Sequence, residues 1–282
     1  MDGRAQQWAI HWEGEMTDLN AAVVQLNSGL EVADNLACVE QLLGDSEVTN
    51  TDIILLPECF AMLGGSQAEL ATDVTMLRSW MASTAVKHDS WLVGGSIPVL
   101  EASDGRSHAA CFVYSPAGDE VACYHKMHLF DVQVADSKGC YQESSDFIPG
   151  NELGLVGIEG VHVGLSICYD LRFPELYRHL TRQGARILCV PSAFTRVTGQ
   201  AHWEPLLKAR AIENQCYVLA ANQVGRHPDG RETWGHSMIV SPWGEVLAQV
   251  DREGPAVIQA ELDLGQLERI RQQMPCLHHQ RL

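Results

Sequence analysis

Residues 161–178, VHVGLSICYDLRFPELYR, contain the feature that decides the fold. The apolar run VHVGLSI predicts a buried β-strand that delivers Cys168 to its carboxyl end. Pro174 predicts the start of a helix that runs to about Gln183, because proline suits the first helical position. Catalytic and ligand-binding groups collect at such strand ends in α/β sheets. This stretch therefore predicts an α/β fold with Cys168 at the edge of a sheet.

The same alternation of strands and helices extends along most of the chain. The hydrophobic patterns predict strands at 21–25, 52–56, 91–99, 109–114, 120–124, 186–190, 217–221, 236–240, 245–250 and 256–261. They predict helices at 32–43, 68–88, 202–214 and 264–273. Helices that alternate with apolar strands, and hairpin-like strands between them, indicate a layered α/β domain with mixed sheets.

The pattern breaks at two places. Residues 126–150 have no clean period, and a loop of this length inside a compact domain is more often a lid or site loop than a linker. Residues 1–17 also have no clear period, and we expect a loose N-terminal extension there. Since no linker interrupts the rest, we expect a single domain over 18–282.

Composition excludes several classes of protein. The chain of 282 residues has 36 acidic and 19 basic residues, a formal charge of −17, so nucleic acid is not an expected partner. No stretch approaches the 18 apolar residues of a membrane span, and the first 20 residues lack the apolar core of a signal peptide. The nine cysteines are an odd number without C-x-x-C pairing, which indicates a reduced, cytoplasmic protein.

Three side chains at strand ends could carry chemistry. Cys168 sits at a strand-to-helix turn, where backbone N–H groups can lower a thiol pKa and stabilise an oxyanion; the alternative is a buried core thiol. Glu58 follows the strand DIILLP and is either a turn cap or a base whose pKa burial would raise. Lys126, among apolar and aromatic neighbours, could stabilise negative charge or could extend to solvent as an ordinary surface lysine.

These segments together resemble the three signatures of the nitrilase superfamily of carbon-nitrogen hydrolases. The matching stretches are LLPECF around Glu58, YHKMHLFD around Lys126 and SICYDLRFPELYR around Cys168, in that order and separated by 68 and 42 residues. The resemblance covers residues from about 20 to 275 and extends to GCYQESSDFIPG, where Glu143 matches a second glutamate of the family. The segments are most similar to the Nit branch, which holds deaminated glutathione amidase and the omega-amidases.

The resemblance implies a four-layer αββα sandwich that hydrolyses amides through a cysteine thioester. Cys168 would be the nucleophile, Glu58 the general base, and Lys126 the oxyanion stabiliser, aided by the backbone N–H of Tyr169. Glu143 would orient Lys126 or assist the leaving group. The resemblance implies no cofactor, only a small amide substrate and water, and a homodimer or higher homo-oligomer.

The expected substrate is a small carboxylate-bearing amide, foremost deaminated glutathione, with release of ammonia or amine. Alternatives are an omega-amidase acting on alpha-ketoglutaramate, an N-carbamoyl hydrolase, a nitrilase, or a catalytically silent binding relative. Arg172 is a candidate for the substrate carboxylate, although a structural ion pair with Asp170 or Glu175 is the slightly favoured alternative. Further candidates are backbone N–H groups and two side chains, Lys138 and Arg196.

Weaker signals surround these positions. Thr195 and Thr198 follow the strand at 186–190 and could border the pocket or form a turn. His125 and His128 flank Lys126 and could be metal ligands. The positive charge of Lys126 between them would repel a metal ion, so we expect no zinc site.

Overall fold

The computed structural model describes residues 17–44, 48–100 and 105–281. The expected N-terminal extension therefore lies, apart from Thr17, outside the described residues. None of the described helices is both long and apolar enough to cross a membrane.

Strands and helices alternate through the described part of the chain. The strands are β1 Leu19–Gln25, β2 Ile53–Leu55, β3 Trp91–Val93, β4 Ile97–Leu100, β5 Ser107–Tyr114, β6 Glu120–His125, β7 Asp131–Gln133, β8 Cys140–Gln142, β9 Gly154–Ile158, β10 Val161–Leu165, β11 Ile187–Cys189, β12 Tyr217–Ala220, β13 Val224–Arg226, β14 Glu232–Trp234, β15 Met238–Val240, β16 Val246–Gln249 and β17 Ala256–Leu262. The α-helices are α1 Val32–Leu43, α2 Gln67–Leu70, α3 Val74–His88, α4 Pro174–Arg182, α5 Arg196–Asn214 and α6 Leu264–Gln273.

Two mixed sheets form the centre of the molecule. The first has the order β17-β1-β2-β3-β5-β4, with β6 also paired to β5, and its β1, β2 and β3 are parallel. The second has the order β16-β15-β12-β11-β10-β9, with β10, β11 and β12 parallel. Two small hairpins, β7–β8 and β13–β14, lie outside both sheets. In each large sheet the parallel strands place their carboxyl ends along one edge, which is where site residues are expected.

Both faces of the first sheet are buried, which explains the near-continuous apolar strands. In β1, Ala21 and Val23 belong to the core shared with the second sheet, while Ala22 and Val24 belong to the core beneath α1 and α3. Apolar side chains of α4, α5 and α6 join the core of the second sheet. Since successive side chains of a strand point to opposite faces, burial on both sides requires helices outside each sheet. The four-layer αββα sandwich that the resemblance implied is confirmed.

Most predicted elements are confirmed, and α1 and α6 have the predicted bounds. The single helix predicted at 68–88 is wrong: a 3-10 turn at Ala71–Asp73 separates α2 from α3. Helix α5 begins at Arg196, earlier than predicted, because the Thr195 hydroxyl caps it by accepting a bond from the Thr198 N–H. The loop at 126–150 contains the short hairpin β7–β8.

The strand predicted at 91–99 is two strands, and the break between them positions a site residue. Gly95 has a φ of 54° and lies so close to the Pro57 carbonyl oxygen that a Cβ atom there would overlap it. The neighbouring Ser96 hydroxyl accepts a hydrogen bond from the Cys59 N–H at 3.0 Å. The break therefore holds the segment on either side of Glu58 against the first sheet.

Candidate active site

Cys168 begins the turn that follows β10. Its backbone lies in the left-handed region, with a φ of 47°, and its N–H donates to the Pro191 carbonyl oxygen at 2.8 Å. A non-glycine residue in this region is uncommon and persists where its surroundings hold it. The side chain is almost fully buried, at 7% exposure, and lines a cavity of about 430 Å³.

Glu58 follows β2 and joins the ends of both sheets. Its Oε1 accepts a bond from the Lys126 ammonium at 2.8 Å, and its Oε2 accepts one from the Ala193 N–H at 2.9 Å. Its carbonyl oxygen accepts a bond from the Gln223 side-chain amide at 2.9 Å. The carboxylate thus contacts a cation and a loop of the second sheet. These contacts go beyond those of a residue that only caps its own turn.

Lys126 is buried at the end of β6, which excludes the alternative of a surface lysine. Its ammonium contacts both carboxylate oxygens of Glu143, at 2.8 and 2.9 Å, in addition to Glu58. The Phe130 N–H donates to Glu143 at 2.6 Å and fixes this carboxylate in place. The structure therefore places Glu58, Lys126 and Glu143 in one buried cluster beside Cys168, all lining the same cavity.

The charges of this cluster shift the pKa values of its members. Burial alone would lower the pKa of Lys126, but the carboxylates of Glu143 and Glu58 raise it well above its ordinary value, so the ammonium persists. Burial raises the pKa of Glu143, opposed by Lys126. One cation thus contacts two carboxyl groups. Burial, and then the Glu58 carboxylate, raise the pKa of the Cys168 thiol well above its ordinary value, opposed by Lys126.

Asp170, which sequence reasoning did not assign to the site, connects the Cys168 turn to the segment that carries Lys126. Its fully buried carboxylate accepts bonds from the Ile167 N–H at 2.8 Å and the Tyr124 hydroxyl at 2.7 Å. It also contacts the His128 N–H at 3.0 Å and the His128 Nδ1 at 2.7 Å. Tyr124 and His128 bracket Lys126 in the sequence, so one carboxylate fixes two catalytic candidates relative to each other.

Arg172 lines the cavity and does not form the expected ion pair. Its guanidinium lies 3.3 Å from the His202 Nδ1 and over the rings of Tyr169 and Phe194, at 5.9 and 5.3 Å from their centroids. Within residues 17–44, 48–100 and 105–281 it has no carboxylate partner. The Asp170 carboxylate is unsuitable because it already accepts the bonds from Ile167, Tyr124 and His128.

The other predicted binding residues are divided between cavity and surface. Tyr169, Thr195, Thr198 and Lys138 line the cavity, and Thr195 is also the turn former that caps α5. Arg196 is exposed and does not line the cavity.

A further cation of the cavity was missed at the sequence level. Arg231 lines the cavity from the end of the β13–β14 loop, and no local pattern in the sequence marks it as a site residue. As for metals, no three His, Cys, Asp or Glu side chains in the described part of the chain are grouped to bind one.

The chain is similar to known proteins along most of its length. The chain is 42% identical to a deaminated glutathione amidase of Synechocystis over 265 residues, which are 92% of this chain and 97% of that protein. It is 36% identical to human omega-amidase NIT2 over 269 residues, 94% of this chain and 96% of the relative. The crystal structure of the Caenorhabditis elegans NitFhit protein superposes with a TM-score of 0.86 and 36% identity over 94% of this chain and 65% of that one. The carbon-nitrogen hydrolase family profile matches residues 20–272, and the chain belongs to this family.

Proposed function

We propose that this protein is an amidase in which Cys168 is the nucleophile, Glu58 the general base and Lys126 the oxyanion stabiliser. The observation that carries the proposal is the contact of the buried Lys126 ammonium with both Glu58 and Glu143, in a cavity that the Cys168 thiol also lines. Amide hydrolysis needs a nucleophile, a proton carrier and a positive cradle for the oxyanion, and this cluster offers all three.

Acylation begins from the neutral thiol, since the Cys168 pKa is raised. Glu58 accepts the thiol proton as sulfur attacks the amide carbon, and the oxyanion that forms is stabilised by Lys126 and the Tyr169 backbone N–H. Glu58 then gives the proton to the amide nitrogen, the carbon–nitrogen bond breaks, and ammonia or an amine leaves. The acyl group remains on sulfur as a thioester.

Deacylation uses the same groups on water. Glu58 accepts a proton from a water molecule whose oxygen attacks the thioester carbon, and the carbon–sulfur bond breaks as the thiol regains a proton. Glu143 holds the Lys126 ammonium throughout, with both of its oxygens within 2.9 Å of Nζ. This contact supports the role of orienting Lys126.

The proposed substrate is deaminated glutathione, with alpha-ketoglutaramate-type amides next. The names of the similar proteins support this choice, as does the presence of Arg172, Lys138 and Arg231 around a cavity of a protein with a charge of −17. An N-carbamoyl hydrolase or a nitrilase would use the same three residues. A silent relative is disfavoured because the reactive positions are all filled and are in one cluster.

The test is a comparison of turnover on four carboxylate-bearing compounds. We expect wild-type protein to release amine from deaminated glutathione and ammonia from alpha-ketoglutaramate. A nitrile of the same carbon skeleton and an N-carbamoyl acid should react at least about a hundredfold more slowly, because the site is complementary to the amide transition state. Carbon dioxide release from the carbamoyl compound at a rate comparable to that of amide hydrolysis would contradict the assignment. So would a wild-type protein that hydrolyses neither of the two amides.

Asp170 should act as a positioning residue. Replacing Asp170 with asparagine removes an acceptor for donors on both segments, so we expect kcat to fall about 10- to 100-fold, because small displacements of catalytic groups have effects of this size. KM should change less than about threefold. Steady-state kinetics of Asp170→Asn, Tyr124→Phe and the double variant test this. The fold-loss of kcat in the double variant should be smaller than the product of the fold-losses in the two single variants. A lowered Tm with unchanged kcat would show a purely structural role.

Self-association and a cytoplasmic location are also proposals. An exposed apolar patch formed by Ile212, Trp243 and Met274 supports a homodimer or higher homo-oligomer, since exposed apolar patches mark protein interfaces. Sedimentation velocity showing only monomer would contradict it. The cytoplasmic proposal is supported by the cysteine pattern of the sequence alone.

A further inference from the structure

The cavity has a second polar region, formed by the tips of the two small hairpins. Lys138 belongs to the β7–β8 loop, and Asp229 and Arg231 belong to the β13–β14 loop. The Lys138 ammonium contacts the Asp229 carboxylate at 2.7 Å, and the Ser137 hydroxyl donates to the Gly230 carbonyl oxygen at 3.1 Å. The two tips are thus joined, and each supplies a cation to the cavity lining.

Arg231 is the incompletely satisfied member of this region. Its Nε is buried and has no hydrogen-bond partner among the described residues, and its Nη2 lies 3.5 Å from the Asp229 carboxylate. That distance is long for a charge-assisted bond. The guanidinium lies over the Tyr141 ring, 5.3 Å from its centroid. A buried donor in this state is unfavourable until an acceptor reaches it.

Arg231 lines the same cavity as the catalytic cluster but belongs to a different loop, between β13 and β14. Burial raises the pKa of Cys59 to about 12, with Glu58 adding to the shift and the positive charge of Arg231 opposing it. Arg231 therefore lies within electrostatic range of the residue next to the proposed base. Arg172, in contrast, reaches the same cavity from the turn that contains Cys168. Two cations thus approach the cavity from different elements.

We propose that Arg231, supported by Lys138, binds a second substrate carboxylate, carried by the amine half of the amide. This inference rests on the proposed function. A planar carboxylate can accept two parallel bonds from the two Nη groups of one guanidinium, and Arg231 lines the cavity with its Nη2 only 3.5 Å from the Asp229 carboxylate. Arg172 shares the turn of Cys168 and so serves the acyl half that becomes bonded to sulfur. Arg231 lies on hairpins outside both main sheets and serves the half that leaves.

The inference predicts a preference for a carboxylate on the leaving amine. Deaminated glutathione has such a group, at its glycine end, and its glycinamide derivative differs only by loss of that charge. We expect wild-type kcat/KM to favour the carboxylate form by about tenfold to a hundredfold, the usual range for a hydrogen bond to a charged group. In Arg231→Gln this ratio should approach one. Arg231→Lys should keep part of the preference, because lysine retains the charge without the planar fork.

Matched controls separate this inference from the proposed function. Arg226→Gln changes an exposed arginine of the same hairpin and should keep the wild-type ratio. Calorimetric titration of Cys168→Ala with both compounds measures the preference in binding, even if neither compound is turned over. An unchanged ratio in Arg231→Gln, equal binding of the two compounds by Cys168→Ala, or no binding of either would overturn the inference. Absence of turnover with a retained binding preference would overturn only the proposed amidase reaction.

Discussion

Replacing Cys168 with alanine should lower kcat/KM for the preferred amide by about 10⁴-fold or more, because removal of a nucleophile leaves only binding and oxyanion stabilisation. The variant should keep its Tm within a few degrees, since the side chain that is lost is small, and it should still bind substrate. Turnover assays, thermal unfolding and calorimetric titration on the same preparation measure these quantities.

Cys59 provides the matched control for this experiment. It also lines the cavity, but it follows Glu58 on the segment held by the Ser96 hydroxyl and lies outside the turn after β10 whose backbone N–H groups would hold the oxyanion. We expect Cys59→Ala to retain activity within about tenfold. Comparable turnover by wild type and Cys168→Ala would remove Cys168 from the mechanism, and a large loss in Cys59→Ala would show that the wrong thiol was assigned.

Replacing Lys126 with glutamine should have the largest combined effect on activity and stability. The change removes the cation between Glu58 and Glu143 and leaves the buried Glu58 carboxylate facing the partly buried Glu143 carboxylate. Loss of one partner of a buried ion pair costs about 3–5 kcal/mol of the free energy of unfolding. Loss of one oxyanion donor lowers kcat by about 10²–10³-fold. For a domain of this size we expect a Tm lowered by roughly 6–20 °C.

The loss of stability in Lys126→Gln should depend on pH. Burial already raises the pKa of Glu143 in the wild type, and without the opposing charge of Lys126 this shift becomes larger. A group whose folded pKa is raised contributes stability below its unfolded pKa and loses it as pH rises through the folded pKa. The variant should therefore lose more Tm at pH 8 than at pH 5.

Lys87→Gln is the matched control, because Lys87 is an exposed lysine 3.7 Å from Glu40. Its Tm should change by no more than about 4 °C at either pH, since surface ion pairs contribute about 0–1 kcal/mol. Equal stability of Lys126→Gln and wild type across this pH range would contradict the buried cluster as the source of these effects.

Much of the architecture was predictable from local pattern. The runs around Val23, Ile54 and Val163 are apolar at successive positions because both faces of their strands are buried, and this pattern is visible without coordinates. The bounds of α1 and α6 agree with the predictions because the apolar residues of each helix recur every three or four positions. The single strand predicted at 91–99 was wrong because of a contact with a distant segment: Gly95 breaks the strand where the Pro57 carbonyl group approaches it.

The sequence by itself determined the layered α/β class and the candidates Glu58, Lys126 and Cys168, because burial and strand ends leave a periodic trace in the chain. Only the tertiary structure decided that Lys126 contacts Glu58, 68 residues away, that Asp170 bonds to Tyr124 and that Arg231 lines the cavity. The physical reason is that local pattern reports burial and backbone conformation. Which side chains meet depends on the order of strands in the two sheets and on how their loops pack.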